Sequence, residues 1–195
     1  MVNRCAWVSE EEIYKAYHDH EWGVPVRDDQ KLFEMLILEG AQAGLSWITI
    51  LKRRENYREA FDQFNVQKVA AYGEDKIQEL LMNEGIIRNK LKVRGTVKNA
   101  KAFLKIQEEF GSFSTYIWAF TDHRPILNTW QSIKEVPAET ELSKKISKAL
   151  KKRGFTFVGP VILYSFMQAV GIVNDHTTDC FRHPNAMEKA EQDVD

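Results

Sequence analysis

The sequence predicts an all-α domain, and three features carry that prediction. Nearly every segment repeats its apolar residues at helical spacing. Ten glycines and five prolines in 195 residues leave few turns, which disfavours an all-β chain. The stretch from Phe157 to Val173 runs seventeen residues without a charge and carries Gly159-Pro160 near its start, as a central helix buried on all sides would. That stretch is short for a bilayer span and holds Tyr164, Ser165 and Gln168, so no membrane association is expected.

The elements follow in order. Ser9 with Glu12 reads as a capping box, after which Tyr14, Tyr17, His18 and Glu21 share one helix face at i, i+3, i+4 and i+7. Asp28-Asp29 start a second helix that buries Leu32, Phe33, Leu36 and Ile37 and ends near Gly40. Ser46 is the N-cap of a helix from Trp47 through Phe61, and Asn65 caps a short turn containing Val69 and Ala70. Helices near Glu74–Asn83 and Lys90–Glu109 flank "EGIIRNK". Ser112 or Ser114 starts an aromatic helix with Tyr116, Trp118 and Phe120. Leu142–Arg153 stops at Gly154 with cations in its last turn, and Pro160 takes the first position of the next helix. One domain over residues 1–183 is expected, followed by a disordered acidic tail at 184–195.

The net charge of −1 argues against a uniformly basic surface, yet the charge is segregated. Seven cations and no acid lie between Gly85 and Lys105, and six cations and no acid between Ser143 and Gly154. Such runs are usually solvated helix faces, but two of them in one chain suit salt-dependent contact with phosphates. At "NEGIIRNK" a glycine turn followed by a helix start can present backbone N–H groups to a phosphate, with lysines beside them. This is the helix-hairpin-helix idea, expected over residues 74–109, although of the usual two hairpin glycines only the first is present, as Gly85.

No apolar signal segment opens "MVNRCAWVSEEE", and two cysteines 175 positions apart point to a reducing, cytoplasmic setting. Cys5 precedes His18, and His176 precedes Cys180 at a spacing that suits two ligands on one turn. Cys2His2 would close a tetrahedral shell around one structural Zn2+ and clip residues 1–27 to residues 174–183. The plain alternative is a pair of buried cysteines beside surface histidines, and spacing alone leaves both readings open. A third oddity is "MLILEGAQAGLSWITILKRR", where an apolar run ends on Glu39 and faces small residues and Trp47. A helix-end acid pointing at solvent is the commoner fate of such a residue.

Five blocks bear on these open readings: "CAWVSEEEIYKAYHDHEWGVP", "LFEMLILEGAQAGLSWITILKRRENYREAF", "GIIRNKLK", "SKALKKRGFTFVGP" and "YSFMQAVGIVNDHTTDC". In this order, from Cys5 to Cys180, they resemble the 3-methyladenine DNA glycosylase I family of the helix-hairpin-helix superfamily. The resemblance implies base excision from alkylated double-stranded DNA with release of free 3-methyladenine. It implies zinc on Cys5, His18, His176 and Cys180, and a pocket acid at Glu39. It sets aromatic walls at Tyr14, Tyr17 and Trp47, with Trp7 and Trp22 nearby. DNA contacts fall on the hairpin at Gly85, Ile86, Arg88, Lys90 and Lys92, and Leu45 is placed to fill the gap left by a flipped base. Between Asp75 and Asp122 the chain has no aspartate, so the superfamily's usual post-hairpin acid is missing. The superfamily's usual mechanism therefore cannot be carried over. With no residue that must act as an attacking amine, hydrolysis without a covalent intermediate is expected, by a monomer. The rival readings are a non-catalytic zinc-stabilised DNA-binding module and a zinc-dependent hydrolase.

Overall fold

The computed structural model describes residues 2–184, and among these the chain is predominantly helical. Helix α1 spans Glu12–His20, α2 Asp29–Ala41, α3 Trp47–Lys52, α4 Arg54–Ala60, α5 Val66–Ala70 and α6 Glu74–Met82. Then come α7 at Lys90–Phe110, α8 at Phe113–Trp118, α9 at Glu141–Lys152 and α10 at Pro160–Ala169. The expected tail, apart from Pro184, lies outside the described residues.

The core forms around α2, which is buried continuously from Leu32 to Ala41 and packs against α7, α8 and α10. Two adjacent aspartates fix its start. Asp28 is the N-cap, accepting from the Lys31 amide at 2.8 Å. Asp29 accepts from the backbone amides of Phe113 and Ser114, each at 2.8 Å, so α2 begins where α8 begins. Acids at helix N-termini are favourable because they meet unpaired N–H groups and the positive end of the dipole. The uncharged run is helical only over α10, which Pro160 opens and which lies against α9 and α2. It is not buried on all sides, since Val161 is 50% exposed, and the run ends in a strand at Val173.

Two local expectations are corrected. Ser9 does not cap α1, whose N-cap is Glu11 without a side-chain bond; the Ser9 hydroxyl accepts only from the Glu11 amide, at 3.4 Å. The helix expected from Trp47 through Phe61 breaks at Arg53 (φ −100°, ψ 0°) into α3 and α4. At the break Arg54 turns inward: its Nε donates to Glu34 at 2.6 Å and its two terminal nitrogens grip Glu21 at 2.9 Å each. A buried guanidinium is tolerated only with such full pairing.

A feature absent from the sequence expectation is a parallel pair of two-residue strands, β1 (Ile126–Leu127) and β2 (Val173–Asn174), in register Ile126 with Val173. It draws the excursion between α8 and α9 against the segment after α10. That segment begins at Gly171 (φ +69°), where an added Cβ would lie 2.3 Å from the Val24 carbonyl carbon. Only glycine lets these two backbones cross.

Candidate active site

At the C-terminal end of α2, Glu39 lines a cavity of about 220 Å³ together with Trp7, Tyr14, Tyr17, Trp22 and Trp47. Ordinary small-molecule pockets run to ~300–1,000 Å³, so this one is on the scale of a single planar ring. The rings form a continuous tilted box. Trp7 meets Tyr14 at 5.1 Å and Trp22 at 5.0 Å between centroids, and Tyr17 meets Trp47 at 5.4 Å. Their periodicity brings them there: Tyr14 and Tyr17 sit on successive turns of α1, and Trp47 opens α3.

Glu39 is 4% exposed and makes no hydrogen bond among the described residues. Burial alone pushes its carboxyl up to about 8, with no charge partner to offset the desolvation. The neighbouring hydroxyls of Tyr14 and Tyr17 are also raised, first by burial and then by Glu39. The indole nitrogens of Trp7 and Trp47 are buried without partners. An aromatic box holding a desolvated acid without a partner is costly for a fold to keep and suits a cationic or strongly donating ring.

Behind this box, Cys5, His18, His176 and Cys180 are all buried, with four ligand atoms within 4.8 Å of one another. Cys180 Sγ lies 3.5 Å from His18 Nε2 and 3.4 Å from His176 Nδ1, and Cys5 Sγ lies 3.5 Å from His176 Nδ1. A zinc tetrahedron with ordinary Zn–S and Zn–N bonds has S···N edges of about 3.6 Å. The outer ring nitrogens are engaged as metal ligands require. His18 Nδ1 donates to Asp19 at 2.8 Å, and His176 Nε2 donates to the Trp22 carbonyl at 3.0 Å. Arg4 holds the Asp19 carboxyl down to about 2. The Cys5 thiol, hydrogen-bonded to Cys180 and buried, is pushed up, while Cys180 is held below its ordinary value, first by Cys5. The cluster could hold a metal ion, and the donor set fits zinc. Trp22 joins cluster and cavity, since its ring also packs on His176 at 4.7 Å.

The remaining expected residues lie elsewhere. Gly85, Arg88 and Lys90 occupy the turn between α6 and α7 and the start of α7, outside the cavity; Arg88 and Lys90 are exposed. Ile86 is a core residue at 3% exposure, so its side chain offers DNA no surface. Lys92 is turned back: its Nζ donates to the carbonyls of Ala41 at 2.9 Å and Ala43 at 2.7 Å, and burial lowers its pKa. It thereby caps the C-terminus of α2 and braces the loop that carries Leu45, which is 39% exposed just after Gly44 (φ +80°). Sequence reasoning missed Gln42, Ile133, Ser165 and Gln168, which complete the cavity. For Ser165 and Gln168 a signal existed, two polar residues three apart in an otherwise apolar helix.

Fold and site together define a helical protein built to hold one flat, electron-poor ring in an aromatic box with an acid. The methyladenine glycosylase family model matches residues 7–183, and the chain belongs to that family. It is 52% identical over 180 residues to DNA-3-methyladenine glycosylase of Haemophilus influenzae, covering 92% of this chain and 97% of that protein. With DNA-3-methyladenine glycosylase 1 of Escherichia coli K12 the identity is 50% over 183 residues, covering 94% and 98%. A solved structure describing 3-methyladenine recognition by the Staphylococcus aureus glycosylase superposes with a TM-score of 0.91 at 37% identity, covering 94% of this chain and 97% of that one.

Proposed function

We propose that this chain excises 3-methyladenine from alkylated DNA, drawing the damaged base out of the stack and into the Glu39 cavity. The observation that carries the reading is Glu39: buried, without a hydrogen bond among the described residues, and lining an aromatic cavity of single-base size. Methylation at N3 makes the purine a cation. Aromatic faces attract that cation, and Glu39 ionises beside it and adds charge-assisted hydrogen bonds. Unmodified adenine brings no charge, leaves the acid neutral and gains less.

Cleavage then needs little help. The C–N electron pair leaves with the purine, which departs neutral, and water adds to the sugar carbon with loss of a proton. Among the described residues no lysine lines the cavity, which supports a hydrolytic, monofunctional reaction without an attacking amine. The superfamily's post-hairpin aspartate is not needed on this account. Leu45 fills the vacated space, while the Gly85 turn, Arg88 and Lys90 hold the backbone of the duplex in a helix-hairpin-helix manner.

We also assign one structural zinc to Cys5, His18, His176 and Cys180. When bound, it supplies folding energy, and its four protein ligands leave no position for a reacting water, which disfavours the zinc-hydrolase reading. The working unit is read as a cytoplasmic monomer of one domain, residues 1–183. Incubation with methylated duplex DNA and chromatography of the released bases tests the function. Free 3-methyladenine is expected; tight DNA binding with no base released would make the protein a binding module instead.

A further inference from the structure

One buried carboxylate takes no part in the reading above. Asp175 is fully buried and accepts four hydrogen bonds: from Asn128 Nδ2 at 2.6 Å, Trp130 Nε1 at 2.9 Å, the Tyr164 hydroxyl at 2.6 Å and Gln168 Nε2 at 2.8 Å. Its donors come from the excursion between α8 and α9 and from α10, and it directly precedes His176. Gln168 in turn lines the cavity.

We infer that Gln168 is a specificity-determining residue that reads the exocyclic amine of the bound base, and that Asp175 is the positioning residue that fixes which end of its amide is presented. The inference rests on the base-excision reading and deepens it. A glutamine amide can face either way, offering a donor or an acceptor. Here the choice is made by the partner. Asp175 accepts from all four neighbours, so the Gln168 NH2 must face it; reversal would set a carbonyl oxygen against the carboxylate. Oε1 is then the free end of the amide. It makes no hydrogen bond among the described residues and is not a sealed buried atom. The backbone is pinned as well, with the Gln168 carbonyl accepting from the Gly23 amide at 2.9 Å.

The cavity therefore holds a fixed acceptor, Gln168 on α10, beside Glu39 on α2, which accepts when ionised and can also donate when protonated. A 6-amino purine has an N–H bond to give Gln168. A 6-oxo purine places an acceptor at that position and is repelled. Selection for adenine over guanine-type lesions then comes from hydrogen-bond polarity, in addition to the selection for positive charge.

The test uses the full chain and two free bases, 3-methyladenine and its 6-oxo counterpart 3-methylhypoxanthine, titrated by tryptophan fluorescence. The parent protein is expected to prefer the amine by about tenfold or more, the range of one mismatched polar contact. Gln168→Leu should cut that preference to within about threefold, by weakening 3-methyladenine and not the oxo base. Asp175→Asn lets the amide reverse and should lower the preference similarly, with no further change when combined with Gln168→Leu. An undiminished preference in Gln168→Leu overturns the inference, and an undiminished preference in Asp175→Asn alone removes Asp175 from it. Gln168→Leu, at the cavity wall, keeps the test decisive whatever Asp175→Asn does to folding. Failure of the parent protein to release any base from methylated DNA refutes the underlying function; release with an unaltered ratio in Gln168→Leu refutes only this assignment.

Discussion

Replacing Glu39 with glutamine should make the empty protein more stable while making it a poorer enzyme. The unfolded carboxyl titrates near 4.5 and the folded one at about 8. Between these values the folded state keeps a proton that the unfolded state gives up, so stability falls as pH rises through the window and levels off above pH 8. Each pH unit adds about 1.4 kcal/mol, so by pH 7 the buried acid costs the fold roughly 3 kcal/mol. Glu39→Gln keeps the shape, removes the titration and should gain about 2–3 kcal/mol at pH 7, or about 4–10 °C in Tm, with no gain near pH 4.5. Thermal denaturation of both proteins at pH 5, 7 and 8.5 measures this. On the functional side, losing the charged partner of the base while it is cationic, as it is in DNA, costs ~1.5–3 kcal/mol, about ten- to more than a hundredfold in affinity for the flipped base. Excision should fall yet remain measurable, because the leaving group is already activated. A stability difference that does not change with pH would show that Glu39 is not desolvated as argued, and unchanged base affinity would return it to a plain helix end.

Lys90→Ala should lower the dependence of DNA binding on salt, by about one in log–log slope, without altering stability; an unchanged slope would place Lys90 off the DNA. Lys92→Ala should act differently, costing about 1–3 kcal/mol in stability and weakening free-base binding through the Ala41–Ala43 loop it braces, as calorimetry would show. One zinc per chain should be found by elemental analysis, and Cys5→Ala should abolish it and lower Tm sharply; a metal-free, fully stable and active protein would refute the assignment. Gly171→Ala should cost more than about 3 kcal/mol, read by urea denaturation, because both φ and the Val24 backbone exclude a side chain.

Helix positions were legible because caps and apolar periodicity are local signals: Asp28, Asn65, Ser112 and Pro160 all stand where the chain reads as starting a helix. The break at Arg53 was not legible, since its cause is a buried ion network with Glu21 and Glu34, residues 33 and 20 positions away from Arg54. The four cluster residues could be proposed from residue type, but only tertiary geometry supplies Asp19 and the Trp22 carbonyl as supports. Lys92 shows the converse error. A cation in the hairpin's basic run reads as a DNA contact, whereas the dipole at the end of α2 draws it inward. Gln168 and Asp175 both lie within "YSFMQAVGIVNDHTTDC", but their pairing was not legible, because it arises only where the excursion carrying β1 meets α10.

The cluster that joins residue 5 to residue 180 also sets a timetable for synthesis. At ~5–20 residues per second, Cys5 leaves the ribosome about nine to thirty-five seconds before Cys180. During that interval its thiol is bare, and methylating agents of the kind that damage DNA attack thiolates too. Once Cys180 arrives, the thiol disappears beneath the finished chain, at 1% exposure. A nascent protein caught under alkylation stress is therefore vulnerable at the residue that the mature one shields. A chain cut short before His176 would have only half of this cluster to offer a metal ion.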